Sequence, residues 1–211
     1  LLKKIKVCWN MGLCDHGTYS HIKQKLFSIF RSSIFISNTN SFLYADYHKK
    51  YNLSCRIETN YGRQTVEFQR KRIKILLKKY TNTYKISRFK YLNEMKKSKC
   101  VISPFGWGEL CPRDFETFLN GGILIKPKMD FFETWPNWYV SKENTSNKKL
   151  HTYLSFKWDL SNLENIIHSV IKKYQDLKYI AKQGQEVYML YTKGENSKEI
   201  FAKRFLKLIK N

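Results

Sequence analysis

The chain has 211 residues, a formal net charge of +22, 42% hydrophobic and 16% aromatic residues, and a mean hydropathy of −0.53. That size suits one domain with part of a second, built on an ordinary core. No apolar run approaches the roughly 18 residues of a membrane span, and no charged-then-apolar start resembles a signal peptide.

Only eight of the 39 basic residues are arginine, at 31, 56, 63, 70, 72, 88, 113 and 204. The rest are lysine, and asparagine is frequent, so coding bias explains the charge as well as a basic face would. The pattern argues against a specific nucleic-acid partner, which clusters arginine and aromatics. Five cysteines (8, 14, 55, 100 and 111) stand at irregular spacings with no CxxC. They read as buried free thiols in a reducing compartment, which places the chain in the cytoplasm. The chain begins Leu1-Leu2 without methionine and reads as a piece of a longer protein.

In chain order, residues 5–9 predict a strand, 10–17 a loop holding His16, 18–31 a helix and 33–37 a second strand. Residues 38–62 carry no clean period. A helix over 65–80 turns Val66, Ile73, Leu76 and Leu77 inward. Its arginines and lysines (Arg70, Lys71, Arg72, Lys74, Lys78, Lys79) read as a solvated face, or as a contact for an anionic membrane. Residues 84–87 predict a short strand, and 89–97 a helix with Phe89, Leu92 and Met95 on one side.

Residues 100–103 and 123–125 read as buried strands around a helix over 113–119, closed by Asn120-Gly121-Gly122. A strand over 153–156 and helices over 160–174, 176–191 and 197–209 complete the chain. Asp159 or Ser161 is expected to cap the first of these helices, with Glu164 placed to complete a capping box if Ser161 is the cap. Short apolar runs alternating with helices predict an α/β fold, a Rossmann-like parallel sheet flanked by helices.

The chemistry-bearing segment is SPFGWGELCPRDFETFLNGGILIKP, residues 103–127. It reads strand, glycine loop, helix, glycine turn, strand. Ligands of open parallel sheets bind outside the carboxyl ends of the strands. Gly106 and Gly108 would let the backbone approach a ligand. The helix start offers unpaired N–H groups to a phosphate, and Arg113 adds a fork suited to a diphosphate. Glu116, one turn on, would accept hydrogen bonds from two ribose hydroxyls. Trp107 would form a sugar or base platform, and Arg63 and Lys126 would add positive potential. There is no carboxylate pair suited to a metal.

This segment resembles the GT-B superfamily of glycosyltransferases. Glu116-Thr-Phe-Leu-Asn-Gly-Gly-Ile-Leu-Ile stands where their C-terminal domains carry E-A-x-x-x-G-x-x-P-V, and Pro112-Arg113-Asp-Phe-Glu116 is similar to the P-R-x-x-E-A of exostosin-type domains. The full run, ending in Glu133-Thr-Trp-Pro136, looks like a bacterial family of group 1 glycosyltransferases. The similarity extends over about 54–191 and includes 56–63 and 157–159.

The resemblance implies transfer of a sugar from a nucleoside-diphosphate donor to a glycan, lipid or protein acceptor, without a metal cofactor. Arg113 would hold the diphosphate, Glu116 the ribose, and Glu109 would lie near the transferred sugar. Six residues separate the two glutamates, one fewer than in many retaining members, so the stereochemical course stays open. Residues 1–54 would be a remnant of the acceptor half, 55–195 the nucleotide-sugar domain, and 196–211 a C-terminal helix crossing back. A non-catalytic nucleotide-sugar or glycan-binding module and a basic nucleic-acid-binding protein are the alternatives.

Overall fold

The computed structural model describes residues 48–141, 150–192 and 196–210. The elements expected at 5–9, 18–31 and 33–37, with His16, Cys8, Cys14 and most of the 1–54 segment, lie outside the described residues.

Within them, four strands form one parallel sheet: β1 (Tyr51–Ser54), β2 (Ser98–Ile102), β3 (Ile123–Pro127) and β4 (Tyr153–Phe156). They neighbour one another in chain order, with Leu53 opposite Cys100, Cys100 opposite Ile123, and Leu124 opposite Tyr153. The helices are α1 (Gln64–Leu77), α2 (Arg88–Lys96), α3 (Pro112–Leu119), α4 (Leu163–Lys172), α5 (Tyr174–Thr192) and α6 (Ser197–Lys210). The fold is α/β, as the alternation of apolar runs and helical periods predicts. No helix among the described residues is long and apolar enough to cross a membrane.

Successive side chains of a strand point to opposite faces. On one face Leu53, Cys100, Ile102, Ile123, Ile125 and Phe156 meet Ile73 and Leu77 of α1 and Leu163, Ile167 and Val170 of α4. On the other, Val101 meets Tyr91 and Met95 of α2. Leu124 and Tyr153 meet Phe115 and Phe118 of α3 and Tyr188 of α5. Burial on both faces is why β2 and β3 read as continuous apolar runs.

Helix α5 gives Ile180 and Ala181 to the first core and Tyr188 to the second, so it rounds the sheet at β4. Gly184 permits that approach: a Cβ there would stand 2.7 Å from a Phe118 ring carbon and 3.1 Å from the Thr152 carbonyl oxygen. At the amino edge, buried Lys49 donates to the carbonyls of Lys96 and Asn120, each at 3.0 Å. These carbonyls end α2 and α3, where the helix dipole favours a cation. Burial lowers the Lys49 pKa to about 8.

Several expectations are corrected. Residues 84–87 form no strand; Tyr84 is exposed, and the Ser87 side chain accepts from the Lys90 amide at the start of α2. The sheet instead takes in Tyr51–Ser54, half of whose residues are exposed, which is why no apolar period marks it. Phe89 is 81% exposed, because α2 turns Tyr91 and Met95 inward. The N-cap of α4 is Asn162, and no side chain caps the helix there. Asp159 accepts from the Ser161 amide, and Glu164 pairs with Lys79 rather than closing a capping box. Arg70, read as solvated, is buried.

Gly184→Ala is expected to destabilise the fold by about 1–3 kcal/mol, because neither the Phe118 ring nor the Thr152 carbonyl can give way without repacking; urea unfolding with an unchanged m-value checks this. Folded Lys49 releases its proton more readily than a lysine in the unfolded chain, so unfolding takes up a proton between the two pKa values. Stability is therefore expected to rise as pH increases from about 8 toward the ordinary lysine range. Lys49→Met should remove that component of the pH profile.

Candidate functional site

All strands of a parallel sheet end on one edge, and the loops leaving β1 and β2 meet there. Their carbonyls lie outside the ladder and need donors. Arginines provide them. Arg70 of α1 donates from Nε to the Phe105 carbonyl at 2.6 Å and from Nη1 to the Glu58 carbonyl at 2.7 Å, with its guanidinium 4.1 Å from the Tyr61 ring centroid. Arg113 of α3 donates from Nη2 to the Arg56 carbonyl at 2.8 Å. The Arg56 side chain forks onto Glu94 and reaches the Tyr84 carbonyl at 2.8 Å. Arg63 donates to the Trp107 carbonyl at 2.5 Å. A planar group with five donors holds two acceptors at once, which a lysine ammonium on a flexible stem does less well. Where lysine is the default cation, arginine marks the positions that need the fork.

A buried polar centre lies at the start of α3. Asp114 accepts from the Ser103 hydroxyl, from the Cys111 amide at 3.1 Å and from the Tyr139 hydroxyl at 2.6 Å. Lys126 Nζ stands 3.0 Å from Asp114 Oδ2, and both side chains are fully buried. The ammonium makes no other polar contact among the described residues and lies 5.2 Å from the Phe105 ring centroid and 5.7 Å from that of Tyr139. Burial, and then the Asp114 charge, push the Tyr139 hydroxyl well above its usual pKa. The expected phosphate seat at this helix start is therefore met by the chain's own carboxylate, which also cancels the Lys126 charge.

The environment of Glu116 differs from the open carboxylate expected. It is 3% exposed. One oxygen accepts from Arg88 and the other from the Tyr91 hydroxyl at 3.4 Å. Helix α2 lays both residues over it. Burial raises the Glu116 pKa, against the opposing pull of Arg88. Arg113 donates to the same Tyr91 hydroxyl at 3.0 Å, so Arg113 and Glu116 do converge, on Tyr91.

Trp107 is 70% exposed beside the Tyr61 ring, with the Arg63 guanidinium 5.4 Å from its centroid. Phe131 and Trp158, also exposed, flank Phe105 on the β3–β4 side of the edge. Gly106 is tightly enclosed: a Cβ would lie 3.1 Å from the Tyr61 hydroxyl and 3.5 Å from Arg70 Nη2. Gly108 faces open space. Glu109 is half-buried and has no hydrogen-bond or ion-pair partner among the described residues. Of the other tryptophans in this stretch, Trp138 is core, and Trp135 packs on Tyr191 and Phe201.

The structure thus brings Arg63, Gly106, Trp107, Arg113 and Glu116 to one edge, with Lys126 beneath it. Sequence reasoning missed Arg56, Arg70, Arg88, Tyr91, Asp114 and Tyr139 as parts of it. The choice of arginine over lysine was the one local signal for three of them. No group of three or more His, Cys, Asp or Glu among the described residues is arranged to hold a metal. The chain matches no protein-family profile, no curated protein and no solved structure at a significant level.

Asp114→Ala leaves Lys126 buried without its counter-charge and is expected to cost about 3–5 kcal/mol in urea unfolding. Adding Lys126→Met should recover most of that loss, since the pair is coupled.

Proposed function

We propose that this chain is the nucleotide-sugar-binding part of a GT-B-type glycosyltransferase, with a Rossmann-like sheet. It transfers a sugar from a nucleoside diphosphate to an acceptor hydroxyl on a glycan, lipid or protein. The observation that carries the reading is the carboxyl edge. There an exposed Trp107, backed by Tyr61 and Arg63, stands on the loop that leads to Arg113, in the same segment that resembles GT-B enzymes. An aromatic platform beside fixed guanidinium groups suits a ligand with a base at one end and phosphates in its middle.

In this reading the base stacks on Trp107, and Arg63 and Arg113 meet the diphosphate. Arg88, whose side chain is 44% exposed, is the exchangeable cover of Glu116. Once Arg88 turns to a phosphate, the Glu116 carboxylate is free for the ribose. As the glycosidic bond breaks, negative charge grows on the leaving diphosphate, and preorganised guanidinium groups stabilise it. Glu109, which has no hydrogen-bond or ion-pair partner among the described residues, would face the transferred sugar in this reading. The buried free thiols of Cys55, Cys100 and Cys111 accord with a reducing compartment, the cytoplasm.

A thermal-shift panel of nucleoside diphosphates tests the proposal. One of them is expected to raise the melting temperature, with saturation a hundredfold above Kd adding about 2.7 kcal/mol. Trp107→Ala and Arg63→Ala, both at exposed positions, should lose most of that shift while leaving the unliganded melting temperature within a few degrees. Indifference to the whole panel, or a shift that both variants keep, overturns the reading. Binding without turnover of any nucleotide sugar would reduce it to a binding module.

A further inference from the structure

Helix α1 turns a second face to solvent. Phe68, Lys71, Arg72 and Ile75, continued by Lys78 and Lys79, recur at the spacing that keeps them on one side of a 3.6-residue helix. Phe68 and Ile75 are 59% and 70% exposed and lie in line along the middle of this stripe. Arg72 and Lys79 flank one side; Lys71 and Lys78 flank the other. The inward face is already committed: Ile73 and Leu77 are in the core, and Gln69 and Arg70 are bonded to the carboxyl-edge loops. The helix therefore has no freedom to rotate Phe68 and Ile75 out of water. Glu67 and Glu164 border the stripe, each paired with one of its lysines.

We propose that this face docks the protein onto an anionic lipid bilayer. Two large apolar side chains standing in water gain by entering the interfacial layer, and cations on both flanks meet lipid phosphates around them. A nucleic-acid backbone would answer the four cations but offer nothing to Phe68 and Ile75. Exposed Trp158 lies beside α1, its carbonyl accepting from Gln69 Nε2 at 3.2 Å, and tryptophan favours the membrane interface. A membrane-docked enzyme of the kind proposed above would suit an acceptor carried on a lipid. That consequence, unlike the docking, rests on the glycosyltransferase reading.

Co-sedimentation of the full chain with vesicles tests it, using phosphatidylcholine alone or with roughly one-third phosphatidylserine. Binding is expected only to the anionic vesicles. Phe68→Ser with Ile75→Ser, and separately Arg72→Glu with Lys79→Glu, should each weaken it about tenfold or more. Lys172→Glu with Lys182→Glu makes the same charge change on exposed positions of α4 and α5 and should leave binding within about twofold. Because the chain carries a net charge of +22, the apolar pair is decisive. Undiminished binding by that variant means charge adhesion alone and overturns the proposal. An equal loss in the α4/α5 control, indifference to both vesicles, or stripping from vesicles by a single-stranded oligonucleotide also overturns it. The altered side chains lie outside the described core, and circular dichroism confirms that each variant is folded. The nucleotide thermal shift of these variants reports the carboxyl edge separately.

Discussion

Backbone carbonyls that leave a parallel sheet lose their ladder partners, and at the carboxyl edge of this one guanidinium groups take their place. Arg70 joins the loops after β1 and β2 through the carbonyls of Glu58 and Phe105, and Arg113 ties α3 to the end of β1 through the Arg56 carbonyl. Arg56 in turn fastens the approach to α2 at Tyr84. Each group bonds part-buried or exposed loop carbonyls that lie outside the sheet's ladder. The loops that frame the candidate site are held at several points.

The same arrangement decides the electrostatics. Helix α3 brings two carboxylates into the protein, and neither remains free. Asp114 is balanced by Lys126 and three hydrogen-bond donors, and Glu116 by Arg88 and Tyr91. The positive end of the helix is largely neutralised by its own Asp114. The guanidinium groups left at this edge without a carboxylate partner among the described residues include Arg63, on the Trp107 carbonyl, and Arg113, on the Arg56 carbonyl and the Tyr91 hydroxyl. That shifts the expected weight from helix dipole to side-chain charge.

Lysine and arginine divide the work of a strongly basic chain. Arginine is concentrated where geometry is demanded, at the sheet edge. Lysine covers surfaces, with two buried exceptions among the described residues, Lys49 beneath the ends of α2 and α3 and Lys126 beneath Phe105. On α1 both meet: Arg70 faces inward as a structural fork, while Lys71, Arg72, Lys78 and Lys79 face outward around Phe68 and Ile75.

Much of the fold was legible because its signals are local. Val101-Ile102 and Ile123-Leu124-Ile125 are apolar runs bounded by turn residues, and α4 to α6 repeat at helical spacing. The strand Tyr51–Ser54 was not legible, since it lies at an edge and buries only Leu53 and Ser54. The sequence by itself determined the order of elements from β2 onward and set Trp107, Arg113 and Glu116 on one loop-and-helix segment. Only the tertiary structure decided which charges remain available there. Arg88 reaches Glu116 across 28 residues, and Arg113 reaches the Arg56 carbonyl across 57. Burial and pairing are set by neighbours in space, which spacing along the chain does not encode.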